Sequence, residues 1–315
     1  MRFDLIKCHG SGNDFPLIDA RALSLADADW ARVARALADR AGPVGGDGLL
    51  LLTAGDEDGR AFGMRMFNSD GSESETCLNG LRCVARAGFA ATGLAHATAR
   101  LKTSEAVVVR DRDIAPGVFT VRETAGPASL DVAAWPMHVD AEEIVETPLA
   151  GLPSTRAFTA VAMPNPHLVA FVEAVDDAEL VRVGEACEAA PDWLPNRANV
   201  SFVEVRGTDL FVRTHERGVG LTDSCGSAMA ASTYAACLTG RIAYDTPTTV
   251  FNKGGLVRAE AGADGMVTLS GNATVEWSGS VTVDFESDEP GARDLVIARR
   301  HDEEIAAWET LRTGM

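Results

Sequence analysis

Two cysteines stand in matching settings in the two halves of this 315-residue sequence. The first lies in Phe67-Asn68-Ser69-Asp70-Gly71-Ser72-Glu73-Ser74-Glu75-Thr76-Cys77-Leu78-Asn79-Gly80-Leu81-Arg82-Cys83. The second lies in His215-Glu216-Arg217-Gly218-Val219-Gly220-Leu221-Thr222-Asp223-Ser224-Cys225-Gly226-Ser227-Ala228. In each, an acidic residue and glycines precede the thiol, and a run that reads as a helix rich in small residues follows it. A thiol at a helix N-terminus has its thiolate favoured by the helix dipole and by free backbone N–H groups. Two such thiols on opposite sides of one carbon could remove a proton from one face and return it to the other. That is the chemistry of cofactor-independent racemisation.

The elements needed to carry these thiols repeat in order. In the first half, residues 3–7 and 15–19 read as strands, 28–40 as an amphipathic helix, and 49–53 and 62–67 again as strands. A helix is predicted from about Asn79 to Thr92, closed by Gly93 as a C-cap, with strands near 97–102, 106–110 and 117–122 after it. The second half predicts strands at 158–163 and 167–173, a helix at 178–189, strands at 199–205 and 210–214, and a helix from about Gly226 to Leu238. The short polar stretch Glu123–Pro127 reads as the bridge. These patterns predict an α+β protein of two pseudo-symmetric lobes, with the cysteine helices approaching each other at the junction. The N-terminal lobe takes 1–122 plus about 271–286 and carries Cys77; the C-terminal lobe takes 123–270 and carries Cys225. Residues 287–315 read as an extension packed on the surface, ending in a polar helix over 302–312.

Bulk composition excludes several functions. The sequence is 46% hydrophobic and 23% charged, the balance of a globular protein that can bury a full core. A net charge of −18 argues against nucleic acid or an anionic membrane as partner. No stretch approaches the ~20 uninterrupted apolar residues of a membrane span, and the N-terminus lacks the apolar run of a signal peptide, so a cytoplasmic location is expected. The six cysteines form no CxxC pairs, and Cys77 and Cys83 have no histidine at finger spacing, so neither a disulfide framework nor a metal site is expected. Cys8, Cys83, Cys187 and Cys237 read as small buried hydrophobes. His9 and Asp14 read as structural.

The ordered run His9-Gly10-Ser11-Gly12-Asn13-Asp14-Phe15, Asn68–Ser72, Cys77-x-Asn79-Gly80-x-Arg82-Cys83, Asn165-Pro166-His167, Arg197-x-Asn199-Val200, Glu216-Arg217-Gly218 and Cys225-Gly226-Ser227 resembles the diaminopimelate epimerase family. The similarity extends from about residue 3 to 283. It implies that each lobe is a mixed sheet or barrel wrapped on a central helix that begins at a catalytic cysteine. It also implies a homodimer, and a reaction between LL- and meso-diaminopimelate that serves lysine and peptidoglycan precursor synthesis.

The chemistry that follows has an electrostatic electron sink. Removing an α-hydrogen leaves a carbanion that most enzymes delocalise into pyridoxal phosphate on a Schiff-base lysine. Only Lys7, Lys102 and Lys253 are present, none in a phosphate cradle, so no cofactor is expected. N–H groups at Leu78-Asn79 and Gly226-Ser227 would instead hold the α-carboxylate and its growing enediolate charge. The resemblance gives His167 as proton partner of Cys77 and Glu216 as that of Cys225. It places Arg217 on the distal carboxylate, with Asn68, Asn165 and Asn199 on the distal amine and carboxylate and Asn13 supporting the same end.

Departures from the family bear on the substrate. Leu78 stands where glycine usually follows the first thiol, Ala228-Met229-Ala230 replaces Gly-Ala-Cys, Pro164 replaces glycine, and Gly271-Asn272-Ala273 replaces Gly-Pro-Ala. A leucine beside the reacting carbon could reshape the pocket. A related two-thiol racemase acting on another amino acid, such as histidine or a hydroxyproline, is the alternative, followed by an amino-acid binding protein of the same fold.

Overall fold

The computed structural model describes residues 1–135, 137–287 and 289–314. Asp288 and Met315, both within the extension expected at 287–315, lie outside the described residues. In chain order the elements open with β1 (Arg2–Gly10), β2 (Asn13–Asp19), α1 (Asp27–Ala38), β3 (Gly48–Ala54), β4 (Phe62–Asn68), β5 (Glu73–Ser74), α2 (Leu78–Thr92), β6 (His96–Arg100), β7 (Glu105–Asp111) and β8 (Thr120–Ala125). There follow β9 (Thr147–Pro148), β10 (Ala157–Ala162), β11 (Pro166–Val172), α3 (Asp177–Glu188), β12 (Asn199–Arg206), β13 (Asp209–Glu216), β14 (Gly220–Thr222) and α4 (Gly226–Leu238). The chain closes with β15 (Thr248–Phe251), β16 (Leu256–Ala261), β17 (Val267–Asn272), β18 (Thr274–Asp284), β19 (Gly291–Arg300) and α5 (Asp302–Thr313).

Two compact units divide the chain: Met1–Glu123 with Ser270–Met315, and Thr124–Leu269. In the first unit β1 lies between β18 (Phe3 opposite Val281) and β2 (Ile6 opposite Leu17), both antiparallel. β2 runs parallel to β3, which pairs antiparallel with β4. Leu49, Leu50, Leu51 and Leu52 of β3 are all buried, the continuous apolar run of a strand covered on both faces. α1 closes one face with Trp30, Val33 and Leu37 against Leu49, Leu51 and Trp277.

α2 packs against β1, β2, β3, β4 and β7. Its inward stripe is Leu81, Val84, Ala85 and Phe89, spaced at helical period. Gly93 ends it in the left-handed region (φ 75°), its N–H bonding the Phe89 carbonyl. Gly10 lets β1 approach the start of this helix: a Cβ there would meet the Asn79 carbonyl at 2.5 Å.

Arg82 of α2 is fully buried, and its guanidinium donates to Glu123 Oε1 (2.7 Å), Asn79 Oδ1 (2.7 Å), Ser11 Oγ (3.1 Å) and the Asn272 carbonyl (3.1 Å). Burial outweighs the Arg82 contact at Glu123 and pushes that carboxyl up to about 7.

The residues after 286, expected as an extension packed on the surface, group with the first unit. β19 extends its sheet by pairing antiparallel with β18, and Glu304 of α5 grips Arg86 of α2 with both carboxylate oxygens (2.6 and 2.8 Å). The strand was illegible because charged and exposed residues break its alternation; its order comes from pairing with β18, a long-range contact.

In the second unit β10 and β11 pair antiparallel, β11 and β12 parallel with His167 opposite Asn199, and β12 and β13 antiparallel with Val200 opposite His215. α4 packs against β10, β11, β12, β13, β15 and β16 and is buried from Gly226 to Cys237. A sequence rich in alanine and other small residues, with no charge, lets strands close around it. Among the described residues, no helix is long and apolar enough to cross a membrane.

Candidate active site

Each candidate thiol is the N-cap of its helix, in extended backbone: Cys77 (φ −147°, ψ 100°) before α2 and Cys225 (φ −132°, ψ 112°) before α4. Cys77 Sγ accepts the Gly80 N–H at 3.3 Å, so the sulfur occupies the place that a Ser or Asp oxygen takes in an ordinary N-cap. The same sulfur lies 3.8 Å from Asn13 Oδ1. Asn13 opens β2 and donates its amide to Asp47, which in turn meets Arg40 (2.6 Å). Leu78 and Asn79 form the first helical turn and are buried. The Asn79 side chain is engaged by Arg82, and the Asn68 amide donates to Ser72 Oγ (2.9 Å) within its own turn.

The second unit brings six of the predicted residues into one line of polar contacts. The Arg217 N–H donates to Asn199 Oδ1 (2.8 Å), and Asn199 Nδ2 faces His167 Nε2 (3.4 Å). His167 Nε2 also meets Asn165 Oδ1 (3.1 Å), Asn165 Nδ2 donates to Ser227 Oγ (3.2 Å), and Ser227 Oγ lies 3.6 Å from Cys225 Sγ. The β11–β12–β13 register builds this line, since it sets His167 beside Asn199 and brings Arg217 just past the end of β13. Arg217 donates to the Asn196 carbonyl (3.0 Å) and makes no ion pair among the described residues, so its charge is available to an anion.

Burial sets the protonation of this line. His167 is fully buried, and its pKa falls to about 3, first from burial and then from the Arg217 charge, so the ring is neutral. Its Nδ1 is buried with no hydrogen-bond partner. The Cys225 thiol corrects a sequence expectation. A helix N-terminus should depress it, but it is raised well above its ordinary value, because burial and the neighbouring Glu216 carboxylate outweigh the bonds from Ser227 and the Ala228 backbone. The helix start favours an anion, and a carboxylate placed beside it in a dry setting disfavours a second negative charge more strongly.

Sequence reasoning missed two residues that fix this geometry. Thr222 donates its hydroxyl to Glu216 Oε1 at 2.5 Å, which holds the carboxylate toward the second thiol's loop. The return of β14 onto β13, Thr214 opposite Thr222 and Glu216 opposite Gly220, creates that contact, and the glycines between the strands were its visible signal. Asn272 was read only as a departure, but its Oδ1 accepts the Ser11 N–H (2.7 Å) and its amide reaches His9 and Thr274 (3.2 and 2.8 Å). A proline could supply none of these side-chain bonds.

This architecture is shared with solved structures of low sequence identity. A PhzF-family phenazine biosynthesis protein of Bacillus anthracis aligns with a TM-score of 0.63 at 13% identity, over 90% of this chain and 99% of that one. A hydroxyproline epimerase of Agrobacterium vitis aligns with a TM-score of 0.62 at 12% identity, over 91% of this chain and 93% of that one. The fold is therefore that of these α+β proteins. Sequence narrows the class: the diaminopimelate epimerase family matches residues 5–115 and 159–276. The diaminopimelate epimerase of Clostridium acetobutylicum is 37% identical over 292 residues, 91% of this chain and 85% of that protein. The chain belongs to the diaminopimelate epimerase family.

Proposed function

We propose that this protein is an isomerase that interconverts LL- and meso-diaminopimelate by proton transfer at the α-carbon, without pyridoxal phosphate, in the supply of lysine. The observation that carries the reading is the presence, in a member of this family, of a cysteine at the N-cap of each unit's long helix. In this reading one sulfur removes the α-proton as thiolate while the other donates as thiol, and the roles exchange with direction. Cys225, whose thiol form is strongly favoured, is suited to donate, and Glu216 beside it is suited to return the proton. Cys77 is suited to abstract, since its sulfur already accepts a helix N–H; the resemblance pairs it with His167, whose buried neutral ring would take its proton only once a bound carboxylate offsets that burial.

The first-turn N–H groups of Leu78, Asn79, Gly226 and Ser227 are assigned to the α-carboxylate, whose charge grows as the enediolate forms. The guanidinium of Arg217, which makes no ion pair among the described residues, is assigned to the distal carboxylate, with Asn165 and Asn199 beside it. Asn13 and Asn68 complete the set.

The test is α-proton exchange in deuterated water, followed by NMR, on a panel holding LL- and meso-diaminopimelate, histidine and the hydroxyprolines. Exchange at diaminopimelate alone is expected. Exchange at a hydroxyproline or histidine in its place would shift the substrate to that amino acid. No exchange with any of them would leave a binding protein.

A further inference from the structure

Helix α5 lies beyond the residues matched by the family, which end at 276, yet it packs on β18 and sets Trp308 against His9 near the end of β1. Trp308 is the buried residue among the described residues of α5, and its ring centroid lies 5.4 Å from that of His9. His9 stands next to the tight turn between β1 and β2, where Ser11 (φ 50°) and Gly12 (φ 82°) are both in the left-handed region that two-residue hairpins require. His9 Nδ1 faces two donors, the Gly12 N–H at 3.4 Å and Asn272 Nδ2 at 3.2 Å. Only an unprotonated Nδ1 accepts from either. The same turn is held by Asn272 Oδ1 on the Ser11 N–H (2.7 Å) and by Arg82 on Ser11 Oγ (3.1 Å). It leads directly into Asn13, whose Oδ1 lies 3.8 Å from Cys77 Sγ.

We infer that α5 is a positioning element for the first thiol: Trp308 keeps His9 dry, His9 Nδ1 stays an acceptor, and the Ser11-Gly12 turn thereby holds Asn13 against Cys77. The groups around His9 are consistent with this. Burial lowers its pKa to about 4, helped by the Arg82 and Lys7 charges and opposed by the Asp14 and Glu309 carboxylates. Uncovering the ring removes the largest of these influences, so the ring would take up a proton nearer the ordinary value of about 6.5. Protonated at Nδ1, it would repel both donors and release the turn. The catalytic part of this inference rests on Cys77 acting as a base or acid in the proposed reaction.

The experiment titrates His9 by NMR in the full-length protein and in Trp308→Ala, and measures in parallel the pH dependence of Cys77 alkylation by iodoacetamide and of kcat/KM. In the parent, His9 stays neutral down to about pH 5. In Trp308→Ala its titration is expected to rise by about two pH units, with the acid limb of kcat/KM rising to match and the variant-to-parent ratio of Cys77 alkylation changing at least about threefold across the same midpoint. Trp308→Phe, which keeps an aromatic cover, should behave as the parent. If the alanine variant fails to fold, Trp308→Leu should give the same displacements at smaller size. An unmoved His9 titration in a folded variant would overturn the covering role, and a moved one that leaves Cys77 unchanged would overturn the positioning role. Absence of turnover in the parent, with His9 and Cys77 still linked, would defeat the epimerase reading and leave this one standing.

Discussion

Helices α2 and α4 begin alike and are built differently. Both start at an extended cysteine N-cap, but α2 is amphipathic and carries Arg82 and Arg86, whereas α4 has no charged residue and is buried nearly throughout. Cys77 is half-buried and its sulfur accepts the Gly80 N–H; Cys225 is buried and sits beside a carboxylate. At the first helical position α2 has Leu78 and α4 has Gly226. One local motif thus stands in two settings. The helix dipole is common to both, and at Cys225 burial and the Glu216 carboxylate override it.

The strongest test of that division removes each sulfur in turn. Cys77→Ala and Cys225→Ala are each expected to lower turnover by roughly 10⁴-fold, the upper end of what one positioned acid or base contributes, with circular dichroism unchanged. Cys187→Ala, in the core of the second unit, should lose some thermal stability and keep its turnover. A single thiol mutant that retained a few per cent of activity would break the symmetric scheme.

Arg82→Met tests the charged side of α2. It strands Glu123 in a fully buried site, and removing one partner of such a pair typically costs about 3–5 kcal/mol. Urea denaturation should show that loss, and a drop below about 1 kcal/mol would mean that the pair is not closed in solution.

Glu216→Gln separates the carboxylate's two effects. Removing its negative charge lets the Cys225 thiol pKa fall, so alkylation of Cys225 at pH 8 should become faster. Turnover should meanwhile fall by about 10²-fold, because the proton loses its relay. Both rates falling together would show that Glu216 only supports the fold.

Leu78→Gly makes the two helix starts alike and should change turnover least. Its kcat/KM for meso-diaminopimelate is expected to change by less than about tenfold, with a stability loss of about 2–5 kcal/mol from the deleted buried side chain and the added backbone freedom. A larger gain would identify Leu78 as the residue that narrows substrate choice.

Much of this was legible in the sequence. Both cysteine helices, the strands before them and the Gly93 cap follow from periodicity and capping chemistry, which are local. The line from Asn165 through His167 and Asn199 to Arg217 was named residue by residue on the resemblance, but its connectivity comes from strand register. What stayed illegible is set by burial and distance along the chain. The raised Cys225 thiol reflects desolvation beside Glu216, which no helix-start rule contains. β19 is too polar to show a strand period, and Asn272 reaches a turn from the far end of the sequence. Thr222 lies in a stretch that the sequence pattern assigns to no element, and only the return of β14 onto β13 reveals what its hydroxyl holds.

The pairing of β1 with β18, Phe3 opposite Val281, has a consequence for how the chain is made. Residues 124–269 form a contiguous unit that can collapse as soon as it leaves the ribosome. The unit that carries Cys77 cannot close, because its first strand waits through the whole intervening stretch for its partner to be translated. At about 5–20 residues per second that interval lasts on the order of ten seconds or more. During it, one side of β1 offers unpaired N–H and C=O groups to any passing strand. The half of the molecule that begins first is the half that finishes last, and its open strand edge is the one exposed on the way.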